Sequence, residues 1–256
     1  MQPLPGIVHG LGDSFAPTHW SVIVAAGRRD SDPEAAHAAL TQLCQTYWAP
    51  LYSFVRSREY SVHDAQDLTQ DFFAFLIERK IYTRVDRQKG KFRSFLLASF
   101  KNFLADRYDH EHALKRGSGR ELLPLGEEQV REAESTFQTQ LDAGYATGED
   151  RIFERSWAET LVGDSLDHLS IRYKTEGQER LFEELRIFLT GSAAPLPPYS
   201  DLARRLGIQA STLRSNVARL RARYRETLRA EVRRTVDTDA EVEDELRELL
   251  RVLTAA

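Results

Sequence analysis

A single cysteine, Cys44, stands in 256 residues. One cysteine cannot close an internal disulfide and cannot assemble a cysteine-rich zinc site. It lies among Leu40, Leu43 and Tyr47 on what reads as a helix face, where a thiol acts as a small buried hydrophobe rather than a redox sensor. Long apolar runs are also missing. Nothing approaches the ~18 apolar residues of a membrane span, and nothing before the short run at 22–26 looks like a basic leader with an apolar core. The expectation is a cytoplasmic chain with no membrane contact. No segment alternates convincingly as a strand, and no internal repeat is present. The glycines at 117–119 open no phosphate-cradling helix and lack the Lys-Ser/Thr ending of a P-loop. His110 and His112, two apart, have no acidic or cysteine partner at metal-ligand spacing. No nucleophile-elbow motif occurs. No catalytic residue, metal or cofactor is therefore expected, and the chain is not expected to be an enzyme.

What is present is strongly patterned charge on helices. The formal net charge is −4, which at first disfavours nucleic acid, but the average conceals a polarity. Residues 199–234 hold ten arginines and three acids, a net +7. Residues 235–256 hold seven acids and two arginines, a net −5, and residues 117–150 hold eight acids and two arginines, a net −6. A basic module bounded by acidic segments fits a DNA reader whose non-specific affinity is held down.

Apolar spacing predicts helices throughout. Residues 1–17 read as an irregular arm and 18–29 as a short helix. Acids and Pro33 start a helix over about 33–57, with Leu40, Leu43, Tyr47, Leu51 and Phe54 on one face and Pro50 expected to kink or split it. Ser61 is placed to cap a helix over 62–79, with Ala65, Leu68, Phe72, Phe75 and Leu76 as its stripe and Asp64, Asp67 and Asp71 on another face. A basic loop at 83–91 leads into a helix over about 92–116. There Phe92, Phe95, Phe100 and Phe103 fall mostly at core spacing. Residues 117–150 read as a flexible acidic linker with at most a transient helix near 127–141. Helices are expected over about 151–170 and 175–190, followed by a Pro-rich break at 191–200.

The sharpest pattern follows at 199–228. Ser200 is read as a cap, and Leu202, Ala203 and Leu206 as the buried side of a short helix. Gly207 ends it where a left-handed residue is needed, and Ile208 packs into the turn. The next helix, about 211–234, turns Leu213, Val217, Leu220 and Tyr224 inward. Its other side carries Thr212, Arg214, Ser215, Asn216, Arg219 and Arg223. A helix, a tight turn and a second helix with a polar, arginine-rich face is a helix-turn-helix. Arginine pairs bidentately with guanine, and Asn and Ser reach base edges or phosphates. A solvated amphipathic helix is the plainer alternative, and the coincidence of turn glycine, short first helix and arginine face tells against it.

The segments HDAQDLTQDFFAFLIER at 63–79 and DRQKGKFRSFLLASFKNFLADRYDHEHALKR at 86–116, together with the helix-turn-helix, resemble extracytoplasmic-function-type RNA polymerase sigma factors in their order and wording. The likeness covers about 34–116 (region 2) and 151–234 (region 4). It implies an all-α chain of two helical domains joined by the linker, with core RNA polymerase and promoter DNA as partners. It implies that Asp64, Asp67, Gln70 and Asp71 dock on the polymerase. Asn102 and Asp106 match the positions that capture a flipped base of the minus-10 element, and Lys91, Arg93, Lys101 and Arg107 would hold the strand backbone. Arg214, Ser215 and Arg219, with Thr212 and Asn216 beside them, match minus-35 readers, and Arg204 and Arg205 would touch phosphates. The rivals are a helix-turn-helix regulator without initiation activity and a sigma-like adaptor.

The chain departs from the simplest members in its extension at 1–33, its long linker, its Pro-rich insertion and a further helix in 235–256. These departures point to control by a regulatory partner or by a kinase, with Thr69 expected in an accessible turn of the docking helix. In the last helix Val242, Leu246, Leu249, Leu250 and Leu253 form a stripe beside Glu241, Glu243, Asp244 and Glu245. That helix is expected either to complete the region 4 core or to dock there and restrain the DNA reader.

Overall fold

The computed structural model describes residues 33–84, 91–113, 127–144, 148–189, 196–236 and 238–254. The expected arm at 1–17, the helix at 18–29, most of the basic loop, the glycines at 117–119, the Pro-rich residues 191–195 and the side chains of His110 and His112 lie outside them. Among the described residues the fold is all-helical: α1 (Pro33–Arg56), α2 (Val62–Glu78), a 3-10 turn (Ile81–Arg84), α3 (Phe92–Ala113), α4 (Glu127–Asp142), α5 (Glu149–Thr175), α6 (Glu179–Leu185) with a 3-10 turn (Arg186–Phe188), α7 (Tyr199–Leu206), α8 (Ala210–Thr235) and α9 (Asp239–Thr254). No helix there is long and apolar enough to cross a membrane.

α1 is the centre. Leu43, Cys44, Tyr47, Trp48, Leu51, Tyr52, Phe54 and Val55 are all buried and span about half of its circumference, and Thr46, Pro50 and Ser53 are buried on the other side, so the helix is enclosed on most sides. Burial pushes the Cys44 thiol up to about 12, in keeping with a packing role. Of the two outcomes expected at Pro50, the split does not occur: α1 runs on through it. Proline in a helix interior costs about 3 kcal/mol, and packing of α1 against α2, α4 and α5 offsets that.

α2 begins as expected. The Ser61 hydroxyl accepts from the Asp64 N–H at 3.1 Å. Ala65, Phe72, Phe73 and Leu76 are buried with Leu68 and Phe75 packed alongside. From α3, Phe100 lies 4.7 Å and Phe103 5.6 Å, centroid to centroid, from Phe72, so these α3 aromatics are core residues.

The segment expected as a flexible linker contains α4, a packed helix. Val130, Ala133 and Phe137 are buried. Glu134 accepts from Arg56 through both carboxylate oxygens, at 2.7 and 2.8 Å, and from the Tyr52 hydroxyl at 2.6 Å. The high acid content masked a 3–4 apolar spacing and one carboxylate that anchors the helix to α1.

Two cores result. The first gathers α1–α4 with Phe153, Trp157, Ala158 and Leu161 of α5, Val232 of α8, and Val242, Leu249 and Val252 of α9. The second gathers Leu169 and Tyr173 of α5, Phe182, Leu185 and Phe188, Leu202 and Ala203 of α7, and Leu213, Val217 and Leu220 of α8. α5, expected as a shorter helix over 151–170, is 27 residues long, and with α8 it enters both cores. α9 opens with a capping box: the Glu241 carboxylate accepts from the Thr238 N–H at 2.8 Å, and the Thr238 hydroxyl accepts from the Glu241 N–H at 3.2 Å. Its buried line is Val242, Glu245, Leu249 and Val252. Leu250, expected in the stripe, is 61% exposed, because the next residue after Leu249 turns about 100° around the helix.

Candidate nucleic-acid interface

The helix-turn-helix is assembled by α7, Gly207 and α8. Ser200 is not the cap: the helix starts at Tyr199, with Pro198 in the cap position and no side-chain bond there. Gly207 takes the left-handed conformation (φ 67°, ψ 29°). The Ile208 N–H donates to the Ala203 carbonyl at 3.0 Å and the Gly207 N–H to the Arg204 carbonyl at 3.2 Å, closing the turn as glycine at a helix C-terminus does. Leu202 and Ala203 meet Leu213, Val217 and Leu220 in the second core. This packing turns Thr212, Arg214, Ser215 and Arg219 to solvent on one face of α8, with Asn216 half-exposed.

Arg214 and Arg219 make no ion pair among the described residues. Two cations outside the open α8 face are partly engaged: Arg204 lies 3.4 Å from Asp201, and Arg205 lies 2.9 Å from Glu184. Arg223, expected on the open face, is not there. It donates to Glu176 at 2.7 Å and lies over the Tyr173 ring at 5.0 Å. That hydrogen bond holds the Glu176 carboxyl below its usual range.

No family model, curated protein or solved structure matches this chain.

The second cluster lies on α3. Asn102 and Asp106 are exposed on one side of it. The four cations expected beside them, Lys91, Arg93, Lys101 and Arg107, each meet a carboxylate of the same chain. Arg93, 5% exposed, lies 2.7 Å from Glu154 and is also paired with Glu245, which is 2% exposed. Lys91 approaches Glu245 at 2.9 Å, Lys101 approaches Asp150 at 2.6 Å, and Arg107 is paired with Asp71. Burial, then the neighbouring Arg93 charge, lowers the Lys91 pKa, and burial raises that of Glu154. Both shifts disfavour charge, as expected where ions leave water.

On α2, Asp64 and Asp67 are exposed, while Gln70 and Asp71 are half-buried. Asp64 also accepts from the Ser61 hydroxyl at 2.6 Å, Asp67 lies 3.6 Å from His63, and Asp71 is taken up by Arg107. Of the four expected docking residues, Asp64 and Asp67 therefore form the open part. Thr69 is not accessible, contrary to expectation: it is fully buried and its hydroxyl donates to the Ala65 carbonyl at 2.7 Å. Position 69 falls on the same face as Ala65, Phe72 and Leu76, about one turn from the first two and two turns from the last.

The acids that face α3 escaped sequence reasoning. A signal for one of them exists: Glu245 sits three residues after Val242 and four before Leu249, the i, i+3, i+7 positions of a buried line. Asp150 and Glu154 sit in the first two turns of α5 and carry no comparable mark.

Proposed function

We propose that the chain is an RNA polymerase sigma factor of the extracytoplasmic-function type, a cytoplasmic promoter-recognition subunit with no chemistry of its own. The observation that carries this reading is the α8 face: two arginines with no ion pair among the described residues, Arg214 and Arg219, beside Thr212, Ser215 and Asn216, held outward by a glycine-turned helix pair. That is the geometry with which a recognition helix enters the major groove of duplex DNA, here the minus-35 element. The open carboxylates of α2 supply a docking surface for core polymerase, where charge complementarity gives orientation and fast encounter. Asn102 and Asp106 on α3, with Lys91, Arg93, Lys101 and Arg107, supply a surface for the unpaired minus-10 strand, and the polymerase performs the chemistry.

Run-off transcription with purified core polymerase tests the reading: the chain is expected to co-purify with core and to direct initiation at a defined start. A second reading is a helix-turn-helix regulator without initiation activity, favoured by the ion pairing of every α3 cation. Duplex binding without core binding would establish it instead.

A further inference from the structure

The four cations on and just before α3 that the proposed function assigns to a nucleic-acid strand are each already matched to a carboxylate, and three of those matches come from α5 and α9. We propose that Glu245 of α9, with Glu154 and Asp150 of α5, is an internal competitor for a single DNA strand. The chain as folded is then a closed form, and α9 must lift away from α3 before Lys91 and Arg93 can hold phosphates. This inference rests on the strand-binding reading of α3.

The argument begins with Glu245. A carboxylate on the buried line of an amphipathic helix is costly to desolvate. An apolar residue between Val242 and Leu249 would join the line without that cost. A buried ion pair is thus a weak device for stability, and here it reaches two cations at once, Lys91 and Arg93.

Arg93 is enclosed on several sides. Glu154 and Glu245 hold its charge, and its guanidinium carbon lies 4.1 Å from the centre of the Trp157 ring. A strand phosphate cannot reach it while α9 is docked. Counterion release drives strand binding only for cations that are free to neutralise phosphates. A cation already neutralised by a carboxylate offers an exchange of partners and little net gain.

The pairing is selective. Asn102 and Asp106, the base-capturing positions, remain exposed, so the closure withholds backbone affinity and leaves the reading groups in place. α9 is joined to α8 through residues 236–238; Val242, Leu249 and Val252 seat it in the first core, and beside them its other acids make exposed pairs, Glu243 with Arg229 and Asp239 with Arg233. Exposed pairs of this kind contribute little and weaken with salt.

Fluorescence anisotropy of a labelled single-stranded DNA oligonucleotide with the full chain tests the proposal. Glu245→Gln keeps the side-chain volume and removes the competing charge, and should tighten strand binding about tenfold at low salt. Asp150→Asn acts on an exposed residue, and should tighten it about twofold. Adding Lys91→Ala and Arg93→Ala to Glu245→Gln should abolish the gain. Circular dichroism checks that each variant keeps its helix content, and loss of fold in Glu245→Gln leaves Asp150→Asn as the deciding measurement. Strand binding by the unaltered chain as tight as by both charge variants overturns the closure and leaves the strand-binding reading standing. If no variant binds the strand while helix-turn-helix binding to duplex DNA is intact, the strand-binding reading fails, and the closure with it.

Discussion

Arg93 of α3 lies over the face of Trp157 of α5, its guanidinium carbon 4.1 Å from the ring centre, so the first core contains a stacked cation between two carboxylates. Removing one partner of a buried ion pair typically costs roughly 3–5 kcal/mol, whereas replacing the pair with apolar groups is near neutral or stabilising. Arg93→Ala should therefore fall toward the lower end of that range, about 3 kcal/mol, because Lys91 still faces Glu245. The combination Arg93→Met with Glu245→Leu should recover only part of the loss, because Glu154 and Lys91 still lose their partners. Urea denaturation of the two variants checks this, and equal losses in both would show that the charges are not coupled.

On α8, Arg214→Ala and Arg219→Ala should each weaken duplex binding by about 1–3 kcal/mol and relax base preference locally. Arg223→Ala should leave duplex binding nearly intact and lower thermal stability instead, because Arg223 serves Glu176 and Tyr173. Duplex affinity measured at fixed salt, beside melting temperature, separates the two effects.

Asp164 on α5 is raised from the ordinary 3.8 to about 6, by burial first and then by the charge of Glu231. Its folded pKa exceeds its unfolded one, so it contributes stability that is full below about 4 and is lost as pH rises through about 6. Asp164→Asn should flatten stability between about pH 4 and about pH 6. At the upper end it should add about 1–2 kcal/mol, less than the full linkage value because the carboxyl retains contact with water. Denaturant midpoints across that pH range are the measurement, and a slope unchanged by the substitution would exclude Asp164 as its source.

On the acidic helix, Asp67→Asn should weaken co-purification with core polymerase without unfolding α2, since exposed charges contribute little to stability. Asp64→Asn should do the same at a modest cost to the helix start, where Asp64 meets Ser61. Asp71→Asn should differ. It frees Arg107, so its main effect should appear in strand binding rather than in core binding. A pull-down and a strand-binding assay run on the same three variants discriminate these outcomes.

Much of the fold was legible because helical spacing is local. The stripes of α1, α2 and α8, the Ser61 cap and the Gly207 turn each rest on residues within a few positions of one another. What escaped depends on partners far along the chain. α4 reads as polar until Tyr52 and Arg56 are brought to Glu134. The burial of Thr69 is the exception, since its place on the face of Ala65, Phe72 and Leu76 marks it locally. The candidate DNA face of α8 was legible except at Arg223, whose partner Glu176 lies on a different helix. The neutralisation of α3 was not legible, because it arises from α5 and α9 folding back on it.

α5 has a consequence of its own. It lends Phe153, Trp157 and Leu161 to one core and Leu169 and Tyr173 to the other, and at 27 residues it is about 40 Å long. It therefore works as an axle whose phase sets how one core faces the other. A single residue inserted near Gly163 would rotate the two ends against each other by about 100°, and seven would restore the register within about 20° while lengthening the axle by two turns. α8, which runs between the same two cores, resists both changes. The angle between the α3 face proposed for the strand and the α8 face proposed for the duplex is thus a property of helix pitch, held by two shafts rather than by the loops between them.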